Sequence, residues 1–467
     1  MPQAQSVAVP KRLPLVITPE NRATSTTQDS RLVNGFMEKV GEQEYQLYSR
    51  PGLGASAQPS GGAASGYGVF NWQGDVYSAF GTDLYKNLTS IGTIDATNGV
   101  YRFSQSSGAT PRLVLGNGVK AYTYDGTTFA QITDAQFPAA FYKGWAYLDK
   151  TTYVMYTRNN ILGSDLDNPT SWDILNLINA QIEPDTGIGL DKQLVYVVAF
   201  KQWTTEIFYD AQNSTGSPLG TVQGAKLNYG CATIESVQDI DGMLFWICTN
   251  RNSSPQIIMM DNLKPTIIST PAIERLIDAA DFTQVYSWSL KEWGHWFYVV
   301  TLKASNLTLV YDVREKTWSQ WADTDGNYLP IVSATFHGHT EGHHIVQHES
   351  NGKYYHMDSA YVTDDGSLFT TDIYTPNFDG GTRRKKQLNF MWFVGDRYPG
   401  SVLQVRHNDN DYATNGWTNF REVNMDTQKP FLDREGTFER RAYNLRHRCN
   451  ARLRIQAIDL QLDLCTL

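Results

Sequence analysis

Cysteine is scarce and never paired along the sequence. The four cysteines in 467 residues, Cys231, Cys248, Cys449 and Cys465, show no C-x-x-C spacing. That excludes a zinc ribbon and a disulfide scaffold, and predicts free thiols. No run of about 20 apolar residues occurs, so no membrane-spanning helix is expected. The first 30 residues lack the apolar centre of a secretory signal. The N-x-S/T sequons at Asn87, Asn213, Asn252 and Asn306 therefore read as chance. Catalytic signatures are missing as well: there is no G-x-S-x-G elbow and no H-E-x-x-H helix. The glycine-rich stretch Gly54 to Gly68 has no lysine for a phosphate loop and reads as a flexible linker or loop. Acid pairs such as Asp165 with Asp167, Asp323 with Asp325 and Asp364 with Asp365 read as turn residues. DTDGN, from Asp323, lacks the closing glutamate of a calcium loop. No enzyme activity, metal or cofactor is expected.

Positive charge is short in most of the chain. Residues 371–467 hold 15 Lys+Arg against 12 Asp+Glu, a net +3, whereas the preceding residues hold 24 against 36, a net −12. An acidic body is a poor phosphate-binding surface. The basic end suits contact with an acidic partner, and the candidate contact residues are Arg383, Arg384, Lys385, Lys386, Arg440, Arg441, Arg446 and Arg448.

What is abundant is aromatic side chain and glycine: 26 Tyr, 12 Trp and 37 Gly. That mixture favours strands and turns over helices. One pattern recurs seven times. A short apolar strand ends at Tyr85, Tyr124, Tyr156, Tyr209, Met260, Tyr311 and Met357, with spacings of 39, 32, 53, 51, 51 and 46 residues. In five copies aspartate follows, and its carboxylate is placed to accept a backbone N–H and start the next turn. The period is that of a four-stranded propeller blade, about 40–50 residues. A β-propeller of six or seven blades is expected, closed by a strand from elsewhere in the chain and leaving a central channel. TSWDIL from Thr170 and TWSQW from Thr317 read as blade-edge strands. STPAIERLIDAADFTQ from Ser269 places Ile273, Leu276 and Ile277 on one face of a short helix.

Five of the nine histidines lie in FHGHTEGHHIVQH, from Phe336 to His348. His337 and His339 share a strand face, as do His344 and His348 on the next strand. Converging third ligands are not evident, so a polar hairpin is expected and not a metal site.

After Asp358 the period stops. QLNFMWFVGD reads as a strand with Leu388, Phe390 and Trp392 on one face. ARLRIQAIDLQLDL has apolar Leu453, Ile455, Ile458, Leu460 and Leu462. The expected architecture is all-β: an extended N-terminal segment with first strands (1–55), the propeller (56–370) and a small C-terminal antiparallel β-sandwich (371–467).

LVNGFMEKV followed by YSRPGL, then TPAIERLI, YDVREKTWSQW, TPNFD, KKQLNFMWFVG and the arginine-rich last strands form an ordered set along the chain. The set resembles the packaged-DNA stabilisation proteins, or tail hubs, of short-tailed bacteriophages. The resemblance implies a structural virion protein, assembled in the host cytoplasm and located in the tail. It implies a homohexameric ring below the portal and head-to-tail adaptor, which extends and closes the DNA channel and holds a tail needle or tip and fibres or spikes. DNA would pass an acidic lumen without specific binding. The alternative from the residues alone is a carbohydrate-binding or glycan-cleaving propeller.

Overall fold

Four of the five repeat aspartates do the same local job. Asp125 Oδ1 accepts the N–H groups of Thr127 and Thr128, Asp210 Oδ1 that of Gln212, Asp312 Oδ1 those of Arg314 and Glu315, and Asp358 Oδ1 that of Ala360. Each closes its strand by offering the backbone a turn. Asp261 instead accepts from the Asn262 side chain.

The computed structural model describes residues 10–15, 17–20, 29–41, 44–213, 215–337 and 342–465. Antiparallel four-stranded units follow one another along the chain. Blades 1 to 5 span residues 66–93, 102–131, 141–179, 187–221 and 238–267. Blade 6 (285–320) is the first part of a nine-stranded sheet. Blade 7 takes three strands from residues 331–358 and its fourth, outer strand from Gly52–Ala57. Six of these sheets stand alone and the seventh is fused to the C-terminal module, so the propeller is closed by an N-terminal strand, as expected.

The repeat marks lie on the third strand of every blade but one. Tyr156 ends the second strand of blade 3 (Thr151–Tyr156), and the third is Asn160–Asp165. Moving that mark to Ser164 turns the spacings of 32 and 53 into 40 and 45. Both strands are tyrosine-rich or apolar, so composition alone does not separate them.

Residues 58–65 of the glycine-rich segment form a loop, as expected, but its ends lie in two blade strands. Gly54 lies in the closing strand, where a Cβ would sit 2.3 Å from the Tyr361 ring, and at Gly66, the start of blade 1, it would meet His348 O at 2.4 Å. These glycines permit close packing of neighbouring elements.

The helix Pro271–Asp278 is capped by Thr270, whose side chain accepts from Ile273 N–H. It buries Ile273 and Ile277 against apolar side chains of blades 5 and 6, on the side of the ring.

Both ends of the chain build the second module. Val33 pairs in parallel with Gln320 at the outer edge of blade 6, and the sheet continues through Thr371–Tyr374, Ala442–His447, Val402–Asn408 and Arg421–Asn424. A seven-stranded sheet faces it, made of Pro10–Arg12, Gly35–Lys39, Tyr45–Ser49, Arg454–Leu464, Lys386–Gly395, Phe431–Asp433 and Thr437–Phe438. Leu32, Met37, Leu47, Ile373, Leu403, Leu445, Ile455 and Leu460 share the core between the sheets. The sandwich thus draws strands from residues 10–49 as well as from 371–464.

Its strand Lys386–Gly395 departs from the expected face. A register shift between Leu388 and Phe390 reverses the alternation. Leu388, Met391 and Phe393 point into the core, while Phe390 and Val394 are 37% and 41% exposed.

Candidate functional site

The ring axis is filled. Blades meet around the axis through their first strands, with the short turn Ile234–Ser236 between blades 4 and 5. Arg102 of blade 2 reaches across to the carbonyls of Ile234 and Val237 beside blade 5. Lys143 of blade 3 bonds Glu235 at 2.8 Å, and Gln238 Nε2 donates to Ser287 O at 2.8 Å. A mouth of about 330 Å³ lined by Tyr67, Asn98, Tyr286 and Glu349 gives way to a void of only about 40 Å³ around Arg102 and Gln238. Near Arg102, burial pushes the Asp191 carboxyl up to about 6. Among the described residues the axis is thus bridged by Arg102 and narrowed by its neighbours, and is not the open central channel expected of a propeller.

The acid pairs remain separate. Asp165 Oδ2 accepts from Ser171, Asp167 pairs with Lys150, and Asp323 Oδ1 accepts the N–H groups of Asp325 and Asn327. Asp365 pairs with Lys353, while Asp364 faces Arg50.

His339 lies outside the described residues. His343 stacks on His356 with ring centroids 4.8 Å apart, and His348 Nδ1 accepts from the N–H groups of Ser350 and Asn351. His344 Nε2 accepts Lys291 N–H from blade 6 at 3.1 Å. Among the described residues no three His, Cys, Asp or Glu side chains are grouped to hold a metal.

Two histidines are buried as neutral bases. Burial pushes both His344 and His447 down to about 4, and His447 Nε2 lies 3.1 Å from Ser401 Oγ. A histidine whose folded value is depressed keeps its stabilising contribution above the unfolded value, about 6.5. The contribution is lost as pH falls from there towards 4, because the unfolded chain binds the proton first. Each accounts for up to about 3 kcal/mol. Denaturant midpoints at pH 7 and pH 4.5 are expected to differ less in His344→Gln and His447→Gln than in the native chain.

Two of the segments that carry the family-like motifs, LVNGFMEKV and YSRPGL, meet at the joint between the two modules. Asn34, in LVNGFMEKV, takes a left-handed backbone (φ 55°) and is 1% exposed. Its Oδ1 accepts from Arg50 Nε at 2.8 Å and from Ala322 N–H at 2.7 Å, and its Nδ2 donates to Thr370 O. Arg50, in YSRPGL, also donates to Pro51 O, Ala322 O and both oxygens of Asp364, and lies over the Phe369 ring. At Gly52 a Cβ would meet the carbonyls of Thr363 and Tyr361 at 2.5 and 2.7 Å. Phe36 packs against Phe297 of blade 6, and Arg452 lies over Trp293. No local pattern marks Asn34 or Arg50 as a joint.

The eight basic candidates divide. Lys386 is buried and donates to Thr382 O and Arg384 O. Arg441, 1% exposed, makes a two-pronged bond to Asp409, Arg446 makes one to Asp372, and Arg440 pairs with Asp411. Arg383, Arg384 and Lys385 are exposed on the loop entering Lys386–Gly395, and Arg448 is exposed near the end of Ala442–His447. No ion-pair partner is found for these four among the described residues. The structure does not gather the eight into one patch of free cations.

The arrangement is that of a known family. Residues 27–362 match the phage-stabilisation family model described as bacteriophage P22 Gp10, beta-propeller. No curated protein matches. Solved structures with similar architecture include the Neurospora crassa Pan2 WD40 domain (10% identity, 66% of this chain and 94% of that one, TM-score 0.41). BamB from Moraxella catarrhalis is another (9% identity, 66% of this chain and 100% of that one, TM-score 0.39). The match spans most of the chain, including the joint at Asn34 and Arg50, and the chain belongs to the bacteriophage P22 Gp10 β-propeller family of phage structural tail proteins.

Proposed function

We propose that the protein is the hub of a short phage tail. Six copies form a ring below the portal and adaptor, and the opposite end holds the needle or tip and the fibres or spikes. The family match over residues 27–362 carries this reading. Two features support it. The Asn34–Arg50–Asp364 joint couples propeller and sandwich through buried polar bonds, which suits a part that must transmit load as one body. The exposed Arg383, Arg384 and Lys385 offer an acidic partner a docking edge on the sandwich. With the propeller axis bridged by Arg102, the DNA passage of this reading is the opening enclosed by the ring of copies, not the centre of any one propeller. The chain acts without turnover, in the virion tail.

Native mass spectrometry of the purified chain, alone and with its adaptor, tests the proposal. A six-copy species that takes up adaptor is the expected result. A protein that stays monomeric in the presence of adaptor would overturn it.

A further inference from the structure

A second feature lies on the other end of the molecule. In a four-stranded antiparallel blade, first-to-second loops leave one face of the ring. Second-to-third loops and blade-to-blade links leave the other. Trp293, which meets the sandwich at Arg452, sits in a first-to-second loop of blade 6. Between blades 4 and 5 a cleft of about 640 Å³ is built from second-to-third loops (Trp203, Asn250 to Ser253) and the link between the blades (Lys226 to Tyr229). It therefore opens on the face turned away from the sandwich.

The walls of this cleft are held in place from below. Asp185, fully buried, accepts from Trp203 N–H and Thr204 Oγ1, each at 3.0 Å. Thr205 Oγ1 donates to Tyr229 O at 2.7 Å, and Lys226 and Glu183 pair across the rim at 2.6 Å. A site with a fixed backbone loses little freedom on binding.

Four of its side chains, Trp203, Asn228, Arg251 and Asn252, make no hydrogen bond among the described residues. Trp203 alone among the twelve tryptophans makes no ring-stacking or cation–π contact among the described residues. Asn228, Arg251 and Asn252 are exposed at its edge, and no side-chain bond is found for them among the described residues. A half-buried indole, two amides and a guanidinium that reaches Glu183 only through its field suit a ligand with an apolar C–H face, a dense set of hydroxyls and one negative charge. The volume lies within the range of small-ligand sites, about 300–1,000 Å³, and the lining is more polar than most.

We propose that this cleft binds an acidic oligosaccharide of a bacterial surface glycan. Trp203 lies under one sugar ring, Asn228 and Asn252 take its hydroxyls, and Arg251 takes its carboxylate or phosphate. All these residues come from one chain, so the binding goes beyond ring assembly and does not depend on it.

The test uses the full chain on a printed array of capsular and lipopolysaccharide oligosaccharides, neutral and acidic. Acidic members are expected to bind, and titration calorimetry follows with the best of them. Trp203→Ala is expected to weaken that binding about tenfold. Arg251→Gln should weaken it about tenfold as well, and leave a charge-neutralised analogue unaffected. Asn228→Ala combined with Asn252→Ala, at exposed positions, should lower affinity with no change in melting temperature. Array signals at background for every member, or affinities that survive both Trp203→Ala and the double asparagine variant, would overturn the proposal.

Discussion

Arg50→Ala is expected to lower the unfolding free energy by about 3–5 kcal/mol, the usual cost of stripping one partner from a buried charged pair. The guanidinium is wholly buried and Asp364 is only 10% exposed. Removing it leaves the Asp364 carboxylate, Asn34 Oδ1 and the carbonyl of Ala322 each short of a donor. Buried polar atoms left unpaired lose their solvation without compensation. Arg50→Lys separates charge from geometry. It keeps the cation, but one ammonium cannot span Asn34, Pro51, Ala322 and Asp364 as the planar fork does. Its loss should be intermediate. Denaturant titration followed by tryptophan fluorescence checks both. Hydrogen exchange should locate the loosening at residues 31–37, 50–53 and 364–371, where the two modules join.

A comparable loss, about 3–5 kcal/mol, is expected from Lys201→Met in blade 4. Lys201 Nζ lies 2.8 Å from Asp185 Oδ1 and 2.5 Å from Glu206 Oε1, and also donates to Glu183 O. All three side chains are at most 1% exposed. The substitution leaves two carboxylates facing each other without a cation. Combining Lys201→Met with Asp185→Asn and Glu206→Gln should recover much of the loss, since exchanging a whole buried ionic group is far milder than breaking one. Melting curves of the single and triple variants at pH 7 check this. A Lys201→Met protein as stable as the native chain at pH 7 would mean that the triad contributes nothing to blade 4.

The repeat aspartates were readable because their bonds close within two or three residues, as at Asp125 and Asp312. The fourth strands at Trp172 and Trp318 were readable for a similar reason, since alternation and turn residues bracket each strand. The helix Pro271–Asp278 followed from a cap and one apolar face. Where local signals tie, the reading slipped. Tyr156 and Ser164 both end strands of blade 3, and aromatic content favoured the wrong one. Glycine at positions 54 and 66 looked like slack chain, although close approach to Tyr361 and to His348 is what requires it. The bulge that exposes Phe390 inserts one residue into one strand, and its neighbour in space decides where.

The basic end shows the limit most clearly. Eight cations looked alike in sequence, yet Arg441 and Arg446 are tied to Asp409 and Asp372, and Lys386 to backbone carbonyls. Which of 48 acids lies beside a given arginine depends on strand order, not on nearby residues.

By itself the sequence determined the all-β class, the blade period, the turn-starting aspartates and a set of ordered motifs. These rest on contacts a few residues long, where chain geometry leaves little choice. The tertiary structure alone decided that Gly52–Ala57 closes the ring, that Arg102 bridges its axis and that Arg50 locks onto Asp364, 314 residues away. Those contacts are set by how whole sheets stack, and only the assembled fold brings such distant charges and strands within bonding range.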